Sequence, residues 1–350
     1  MNAEFIEALK EIAKSKEISE DFIFTTLEDA LIAAYKKNYS SKNGEGNQNV
    51  VIEINRETGE NHIYARKNIV EYVENDVCEI SLEDAKQIDP RYEIGEVVNI
   101  EVTPKDFGRV AAQSARQVVI QRIKEAERAN IYNYYIQKEH DLITGTVLRK
   151  DKNTILLNLD KIETVLGPNE QIPGEDYKFN EQIKLYVVEV KNTTKGAQVV
   201  VSRTHKDLVK RLFELEVPEI YDGTVEIKSI AREPGSRTKI AVYSNDEDVD
   251  AMGACVGPKG TRVQNIVNEL KNEKIDIIKW SKLPEEYISN ALSPANVLEV
   301  IITDEENKEA VVVVDESQLS LAIGKEGQNV RLAAKLTGWK IDIKSKKVEE

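Results

Sequence analysis

Two short glycine turns in the last third of the chain have the residue types that suit a phosphate backbone. Residues 257–260 read Gly-Pro-Lys-Gly, and residues 324–327 read Gly-Lys-Glu-Gly. Because glycine has no side chain, the backbone of each turn can approach a phosphate closely. Each turn leads into a predicted helix, whose first N–H groups and dipole favour an anion. A lysine in each turn, Lys259 or Lys325, adds a positive charge, so the chemistry favours the backbone of single-stranded RNA.

The segments around the two turns repeat each other. Each segment returns after its turn to the tetrapeptide Lys-Ile-Asp-Ile, at residues 274–277 and 340–343. A lone GxxG turn more often only joins two helices, but a matched pair with matched flanking elements is a stronger signal. The pattern predicts two KH modules, in each of which a GxxG loop clamps the backbone of about four nucleotides. The predicted flanking helices are 249–256, 262–270, 318–323 and 330–336.

Residues in the turns and at the start of the helices that follow them are the candidate RNA contacts. Arginines in these helices can reach further phosphates, and apolar side chains beside the turns offer a groove for bases. The candidates in the first module are Gly257, Pro258, Lys259, Gly260 and Arg262. Those in the second module are Gly324, Lys325, Glu326, Gly327, Gln328, Asn329 and Arg331. The alternative for the two lysines is ordinary solvated surface charge.

A run of short strands precedes the two modules. Five strands in about 60 residues, separated by turn residues, favour a small barrel of the OB-fold type, and any other five-stranded sheet is the alternative. Exposed basic side chains on such a barrel can guide RNA. The candidates are Arg149, Lys150 and Lys152 near the first turn, and Lys191, Lys195 and Arg203 near the last strands. The alternative is that they are ordinary surface residues. The predicted strands are 142–149, 153–159, 161–166, 182–190 and 197–203.

The first third of the chain has a different, more helical pattern. Residues 3–38 read as helices, residues 40–49 as a turn-rich break, and the segment from residue 50 to residue 102 as strands with one short helix. A helix of about 25 residues is predicted from Arg109, because apolar residues fall on one face of it. That stripe consists of Ala112, Ala115, Val119, Ile123 and Ala126. We interpret this helix as a rigid connector to the rest of the chain.

Charge is unevenly distributed along the 350 residues. The net charge is -14, and residues 1–130 alone hold 17 Lys+Arg against 25 Asp+Glu. Affinity for RNA must therefore come from local basic clusters and backbone amides rather than from electrostatic attraction by the whole molecule. The acidic first third suits a protein partner better than RNA. No apolar run approaches the roughly 18 residues of a membrane span, and the N-terminus has no signal-peptide pattern.

The sequence does not predict a catalytic or metal-binding site. The three histidines lie in different segments, and none stands near a cysteine at zinc-ligand spacing. The chain has no nucleotide-binding GxxxxGK[ST], no HExxH and no GxSxG. Its two cysteines, Cys78 and Cys255, are far apart and indicate a reducing compartment rather than a disulfide framework. We therefore expect a protein without catalytic activity, metal or cofactor.

Several longer stretches resemble the NusA family of bacterial transcription factors. The sequence ESQLSLAIGKEGQNVRLAAKLTGWKIDI, at residues 316–343, resembles the family's second KH domain. Residues 107–122 resemble its connector helix, and residues 202–205 with 212–220 resemble its barrel-to-KH junction. Residues 230–242 resemble the entry to its first KH domain. The resemblance covers essentially the whole chain.

This resemblance implies a multidomain α+β protein with four parts. The first is an α/β N-terminal domain with a long connector helix, at residues 1–130, which binds RNA polymerase. The second, at residues 135–204, is a five-stranded OB-fold barrel of the S1 type. Two prokaryotic-type KH domains follow, at residues 205–281 and 282–346. Some relatives carry further acidic C-terminal repeats, and since this chain stops at Glu350 we expect the short form that lacks them.

The resemblance also implies a function. The family docks on the RNA polymerase core and contacts nascent single-stranded RNA. It thereby modulates elongation, pausing, intrinsic termination and, with other Nus antitermination factors, antitermination. The protein is expected to be a cytoplasmic monomer without contact to a membrane. The alternative is a freestanding or ribosome-associated single-stranded RNA-binding protein, and the first 130 residues decide between the two.

Overall fold

The computed structural model describes residues 3–15, 18–37, 49–104 and 107–346, apart from the side chains of 108–112, 114 and 115. The chain divides into two compact units, Met1–Ile131 and Tyr132–Glu350. The predicted turn-rich break lies outside the described residues except for its last position. None of the described helices combines the length and the apolar character that a membrane crossing requires.

The first unit combines helices with a four-stranded sheet. Its two N-terminal helices share one apolar core with strand β1, and Ser19 caps the second of them by accepting a hydrogen bond from the N–H of Phe22. In the sheet, β2 pairs with β1, β3 and β4. The elements are α1 (Ala3–Ser15), α2 (Glu20–Tyr35), β1 (Val50–Ile54), β2 (Asn61–Val70), β3 (Glu79–Ser81), α3 (Leu82–Ile88) and β4 (Val97–Glu101).

The predicted connector is helix α4 (Phe107–Ile136), which is 30 residues long and therefore longer than expected. Val119 and Ile123 of the predicted apolar stripe are buried in the core of the first unit, and Ala126 packs against that core. The side chains of Ala112 and Ala115 lie outside the described part. Near the C-terminal end of the helix, the buried Tyr135 donates its hydroxyl to the carbonyl of Leu159 at 2.5 Å. This end of α4 is therefore fixed to the barrel.

The predicted barrel is confirmed. Its five strands pair antiparallel in the order β7-β6-β5-β8-β9. The two outer strands lie close enough for the Thr164 hydroxyl on β7 to donate to the carbonyl of Val199 on β9 at 2.6 Å. The result is the nearly closed barrel of an OB-like fold. The strands are β5 (Leu142–Asp151), β6 (Thr154–Asn158), β7 (Glu163–Leu166), β8 (Gln182–Thr193) and β9 (Gly196–Ser202).

Two domains of the same design follow the barrel, as the repeat predicts. Each has a sheet in which the middle strand pairs antiparallel with the first strand and parallel with the last. The first consists of α5 (Lys206–Glu216), α6 (Pro218–Tyr221), β10 (Val225–Glu233), β11 (Arg237–Ser244), α7 (Ala251–Val256), α8 (Thr261–Glu269) and β12 (Lys274–Lys279). The second consists of α9 (Pro284–Ala291), β13 (Val297–Asp304), β14 (Glu309–Asp315), α10 (Glu316–Ile323), α11 (Gln328–Thr337) and β15 (Lys340–Lys346).

The two domains pack directly on each other. The outer face of the first sheet contributes Ala231 and Ala241, which are buried in one cluster with Ile288 and Leu292 of the second domain. Small alanine side chains allow the helices of the second domain to approach this sheet closely. Beside them, the buried Lys239 donates to Asp276 at 2.9 Å and to the carbonyl of Ser293 at 2.7 Å. The two domains therefore hold one fixed orientation.

The barrel is joined to the first of these domains by a buried arginine. Arg203, directly after β9, is fully buried, and its five guanidinium N–H groups all have acceptors. They donate to the carboxylate of Glu175 in the barrel, to the carbonyl of Lys184, and to Glu269 of α8 through both its carboxylate and its carbonyl. Burial lowers the pKa of Arg203, but the hydrogen bonds and charge of Glu175 outweigh this and leave the pKa raised.

Replacing Arg203 with methionine should destabilise the second unit strongly. The Glu175 carboxylate, which is also fully buried, would then lack its cation, and breaking one partner of a buried pair costs about 3–5 kcal/mol. Urea denaturation of the full chain measures this. The control is Arg149→Met, because the Arg149–Asp151 pair is exposed and such pairs contribute about 0–1 kcal/mol. Equal effects of the two substitutions would contradict the assigned role of Arg203.

Candidate nucleic-acid interface

The two glycine turns have the same backbone conformation. The first glycines, Gly257 and Gly324, have φ/ψ of 72/175° and 75/172°. The second glycines, Gly260 and Gly327, have 75/15° and 73/16°. The residue at the third position of each turn, Lys259 or Glu326, also has a left-handed backbone conformation, with φ of 53°. The sequence repeat is therefore a structural repeat down to individual dihedral angles.

The first glycine of each turn is required by packing. A Cβ atom at Gly257 would lie 2.6 Å from Cγ of Arg262, and one at Gly324 would lie 2.8 Å from both Cβ and the backbone N of Asn329. The residue five positions after this glycine also donates hydrogen bonds back to the end of the preceding helix. Arg262 donates to the carbonyl of Ala254 at 2.7 Å, and Asn329 donates to that of Ala322 at 3.1 Å. These bonds satisfy carbonyls that the helix end leaves without partners.

The second glycine of each turn faces open space. No described heavy atom lies within 4 Å of a Cβ built at Gly260 or at Gly327. Each of these glycines is the N-cap of the helix that follows, and no described side chain caps either helix. The first N–H group of each helix, that of Thr261 or Gln328, donates to the carbonyl of Pro258 or Lys325 within the turn. The N–H groups that follow it in the first turn of α8 and α11 have no side-chain cap and suit an anion. The open second glycine leaves the backbone of each turn accessible, and its contact with a phosphate stays a prediction from the sequence.

Charge distinguishes the two turns. The left-handed third position holds Lys259 in the first turn and Glu326 in the second, and Lys325 stands one position earlier. All three side chains are exposed. The first turn therefore presents one positive charge, whereas the second presents a lysine and a carboxylate side by side. Beside the turns, Val256 and Ile323 are 36% and 37% exposed, which provides an apolar surface for bases.

Four of the residues predicted to contact RNA are instead engaged with other residues of the protein. Arg262 pairs with Glu219 at 2.9 Å. Gln328 and Arg331 both donate to Glu233 of the first KH domain, at 2.8 Å and 2.7 Å. These three residues hold the turns in place. The fourth, Asn329, was expected to be accessible but is only 3% exposed.

The barrel candidates separate into exposed and buried residues. Arg149 and Lys150 are exposed on β5, and Arg149 pairs with Asp151 at 2.8 Å. Arg203 was expected among the exposed basic side chains, and this is wrong, since it is fully buried in its carboxylate network. The sequence could not distinguish these cases, because an arginine at the end of a strand is compatible with either position.

The structure also brings together residues that the sequence did not suggest. Ser236, Arg237 and Lys274 of the first KH domain line a cavity of about 510 Å³ together with Gly324 and Lys325 of the second turn. Arg237 is paired there with Asp276 at 2.7 Å. No local pattern marks these residues, because only the packing of the two domains places them beside the turn. Among the described residues, no cluster of three or more His, Cys, Asp or Glu side chains could hold a metal ion.

Comparison with known proteins identifies relatives along the whole chain. Family models match residues 4–129 as the NusA N-terminal domain, residues 203–280 as the NusA-like first KH domain and residues 284–350 as the NusA-like second KH domain. The transcription termination/antitermination protein NusA of Bacillus subtilis is 57% identical over 345 residues, which cover 99% of this chain and 91% of that protein. The NusA protein of Halalkalibacterium halodurans is 56% identical over 345 residues, with coverage of 99% and 89%. A solution structure of the N-terminal domain of NusA from B. subtilis is 50% identical, covers 37% of this chain and 99% of its own, and has a TM-score of 0.32.

The two glycines of one turn should respond differently to the same substitution. Gly324→Asn should destabilise the second KH domain by several kcal/mol, because its backbone region is nearly restricted to glycine, at a cost of about 1–3 kcal/mol, and the new side chain meets Asn329. Gly327→Asn should cost no more than about 1–2 kcal/mol, because asparagine tolerates the left-handed region. Urea denaturation of the two variants checks this. A larger loss for Gly327→Asn would show that the roles of the glycines are reversed.

Proposed function

This chain belongs to the NusA family of transcription termination/antitermination proteins, and we propose that it docks on RNA polymerase and contacts the nascent single-stranded RNA. The family is not one of enzymes. Through these contacts the protein modulates elongation, pausing, intrinsic termination and antitermination. The observation that carries the RNA part is the pair of GxxG turns, each with an open second glycine at an uncapped helix N-terminus.

The proposed division of labour follows the four parts expected from the sequence. Residues 1–130 bind RNA polymerase, residues 135–204 form the S1-type barrel, and residues 205–281 and 282–346 form the KH domains. The acidic charge of the first part suits a protein partner. Its surface also exposes two apolar side chains near the end of β2: Tyr72 is 80% exposed, and Ile94, whose neighbour Gly95 donates to the carbonyl of Ile69, is 54% exposed. Exposed apolar side chains of this size are typical of protein contact surfaces when they cluster.

Within the RNA-binding part, residues act in two ways. Gly260 and Gly327 let phosphates approach the backbone, Lys259 and Lys325 add charge, and Arg149 and Lys150 guide the strand along the barrel. The residues that hold the turns in shape are Gly257, Arg262, Gly324, Gln328, Asn329 and Arg331. Pro258 and Glu326 complete the exposed surface of the turns. RNA bound to the second turn also passes the cavity that Lys274 of the first KH domain lines.

The proposed partners are the RNA polymerase core, nascent single-stranded RNA and other Nus antitermination factors. The protein acts as a monomer in the cytoplasm, where it meets the transcript as it leaves the polymerase. Since RNA binding alone is equally compatible with a freestanding protein, contact with polymerase must be tested separately from contact with RNA.

Adding a negative charge at an open glycine should weaken RNA binding without unfolding the domain. Gly327→Asp should lower the affinity for single-stranded RNA by about tenfold or more, whereas Gly327→Asn, of the same size, should lower it much less. The physical reason is repulsion between the carboxylate and a phosphate held at the helix N-terminus. Fluorescence anisotropy with a labelled RNA, at several salt concentrations, measures the difference.

The same pair of substitutions at Gly260 tests the first turn. The difference between aspartate and asparagine should shrink as salt is raised, because screening weakens the repulsion. Circular dichroism serves as the control for folding. If a folded variant with aspartate at both Gly260 and Gly327 bound RNA like the unaltered chain, the assignment of the turns to RNA would fail.

Contact with polymerase should map to the first part of the chain. Immobilised full-length protein and residues 1–130 should both retain purified RNA polymerase core, and residues 131–350 should not. Nuclease treatment beforehand removes RNA that could bridge the proteins. If neither the full chain nor residues 1–130 retained polymerase, the RNA-binding assignment would stand, but the protein would be a freestanding or ribosome-associated RNA-binding protein.

A further inference from the structure

A cavity of about 480 Å³ lies at the junction of the barrel and the first KH domain, away from both glycine turns. Its volume falls in the range of about 300–1,000 Å³ that is usual for small-ligand sites. Strand β8 and the start of α5 form its walls. The side chains that line it are His140, Tyr186, Val188, His205, Asp207, Lys210 and Arg211. We refer to this cavity as the stacking pocket.

Three rings form a stack in this pocket. The rings of Tyr186 and His205 are parallel within 2°, with centroids 4.6 Å apart. His140 lies 6.3 Å from Tyr186 at an angle of 28°. Tyr186 is only 4% exposed, whereas the side chain of His205 is 37% exposed. The imidazole of His205 is therefore the accessible face of a platform that Tyr186 supports from behind. Proteins that bind single strands commonly stack bases on rings of this kind.

Hydrogen bonds hold both histidines in place. His205 is the N-cap of α5, where its Nδ1 accepts the N–H of Asp207 at 3.3 Å. A neutral His205 consequently carries its proton on Nε2. His140 has a left-handed φ of 64°, and its carbonyl accepts from Nε of Arg211 at 2.8 Å. A non-glycine residue kept in this region by its surroundings is a frequent feature of binding sites.

Cations stand next to the rings. Lys210 and Arg211 follow His205 on α5 and line the pocket with Asp207. Arg211 is paired with Glu214 at 2.6 Å and lies 3.9 Å from Asp141, so Lys210 is the cation of this lining that is better placed for a ligand. The side chain of Lys210 is 46% exposed, and its nearest carboxylate, Glu214, is 4.0 Å away. Lys210 is thus positioned to contact a phosphate attached to a base that stacks on His205. A ring platform with an adjacent cation is the arrangement that proteins use for unpaired nucleotides.

We propose that the stacking pocket binds one unpaired nucleotide, with the base on His205 and its phosphate at Lys210. This rests on the proposed function, because the nucleotide belongs to the RNA strand that the KH domains hold. The same chemistry would recognise a free nucleotide, so the test compares both sources. The pocket gives the junction between barrel and KH domain a direct contact with RNA, which neither glycine turn provides.

The histidines provide a direct test by NMR. The chain contains three histidines; His140 and His205 line the pocket, and His62 lies on β2 of the first unit. Single-stranded RNA of about 20 nucleotides is titrated into the full-length protein while the imidazole C–H signals are followed. The signals of His140 and His205 should shift and saturate, and that of His62 should not. A nucleoside monophosphate should require at least about tenfold higher concentration for the same shift.

Two substitutions separate the pocket from the rest of the RNA surface. His205→Asn removes the ring but retains a residue that caps helices well, and Lys210→Glu reverses the charge at the phosphate. Each should abolish the RNA-induced shift of His140 and lower RNA affinity by about threefold to tenfold. Lys86→Glu, at an exposed position on α3 of the first unit, makes the same charge change outside the RNA-binding part and is the control that should change neither.

The outcomes distinguish this inference from the proposed function. RNA binding that depends on Gly260 and Gly327 but leaves His140 and His205 unshifted would overturn the pocket and leave the KH assignment intact. No RNA binding at all would overturn both. Equal potency of the mononucleotide would overturn the assignment to the RNA strand. Shifts caused by RNA polymerase core in place of RNA would assign the pocket to a protein and likewise overturn it.

Discussion

The guanidinium of Arg203 and the carboxylates around it fix how the barrel meets the first KH domain. Arg203 has no contact with solvent, and its acceptors come from the barrel through Glu175 and from α8 through Glu269. A second buried carboxylate, Glu273, accepts from Arg232 at 2.9 Å and 3.0 Å. Buried ion pairs contribute little net stability but impose orientation, because a misplaced partner leaves a charge unpaired. The stacking pocket depends on this orientation, since its walls come from β8 and α5.

The repeat of the KH fold shows how two similar sequences acquire different surfaces. The first glycine of each turn serves packing, whereas the second serves access, and this holds in both copies. Charge then diverges at one left-handed position, which is Lys259 in one turn and Glu326 in the other. The carboxylate of Glu326 makes the second turn less favourable to an anion than the first. Lys274 of the first domain lines a cavity together with Gly324 and Lys325 of the second turn, and therefore adds a positive charge beside that turn.

Local features of this protein could be predicted from its sequence, and contacts between distant segments could not. The five barrel strands, the matched helices and the GxxG turns depend on periodicity and on glycine, which act within a few residues. The burial of Arg203 and Asn329 depends on carboxylates and carbonyls that only tertiary packing brings to them. From the sequence alone, both residues are therefore interpreted as exposed polar candidates. The pairing of Tyr186 with His205 is likewise a contact between separate elements. Single aromatic residues in a strand do not indicate whether they are core or surface.

An acidic protein that binds RNA must rely on short-range contacts. Each neutralised phosphate of a single strand contributes about -0.7 to the slope of log affinity against log salt, and only a few exposed cations stand near the turns and the pocket. Most of the affinity must then come from helix N–H groups, stacking and preformed geometry, which salt screens less. Such contacts require that the barrel and both KH domains keep their orientation as RNA binds. Arg203 joins the barrel to the first KH domain through Glu175 and Glu269. Lys239 of the first KH domain donates to the carbonyl of Ser293 in the second, so these two buried cations hold the three domains in that orientation.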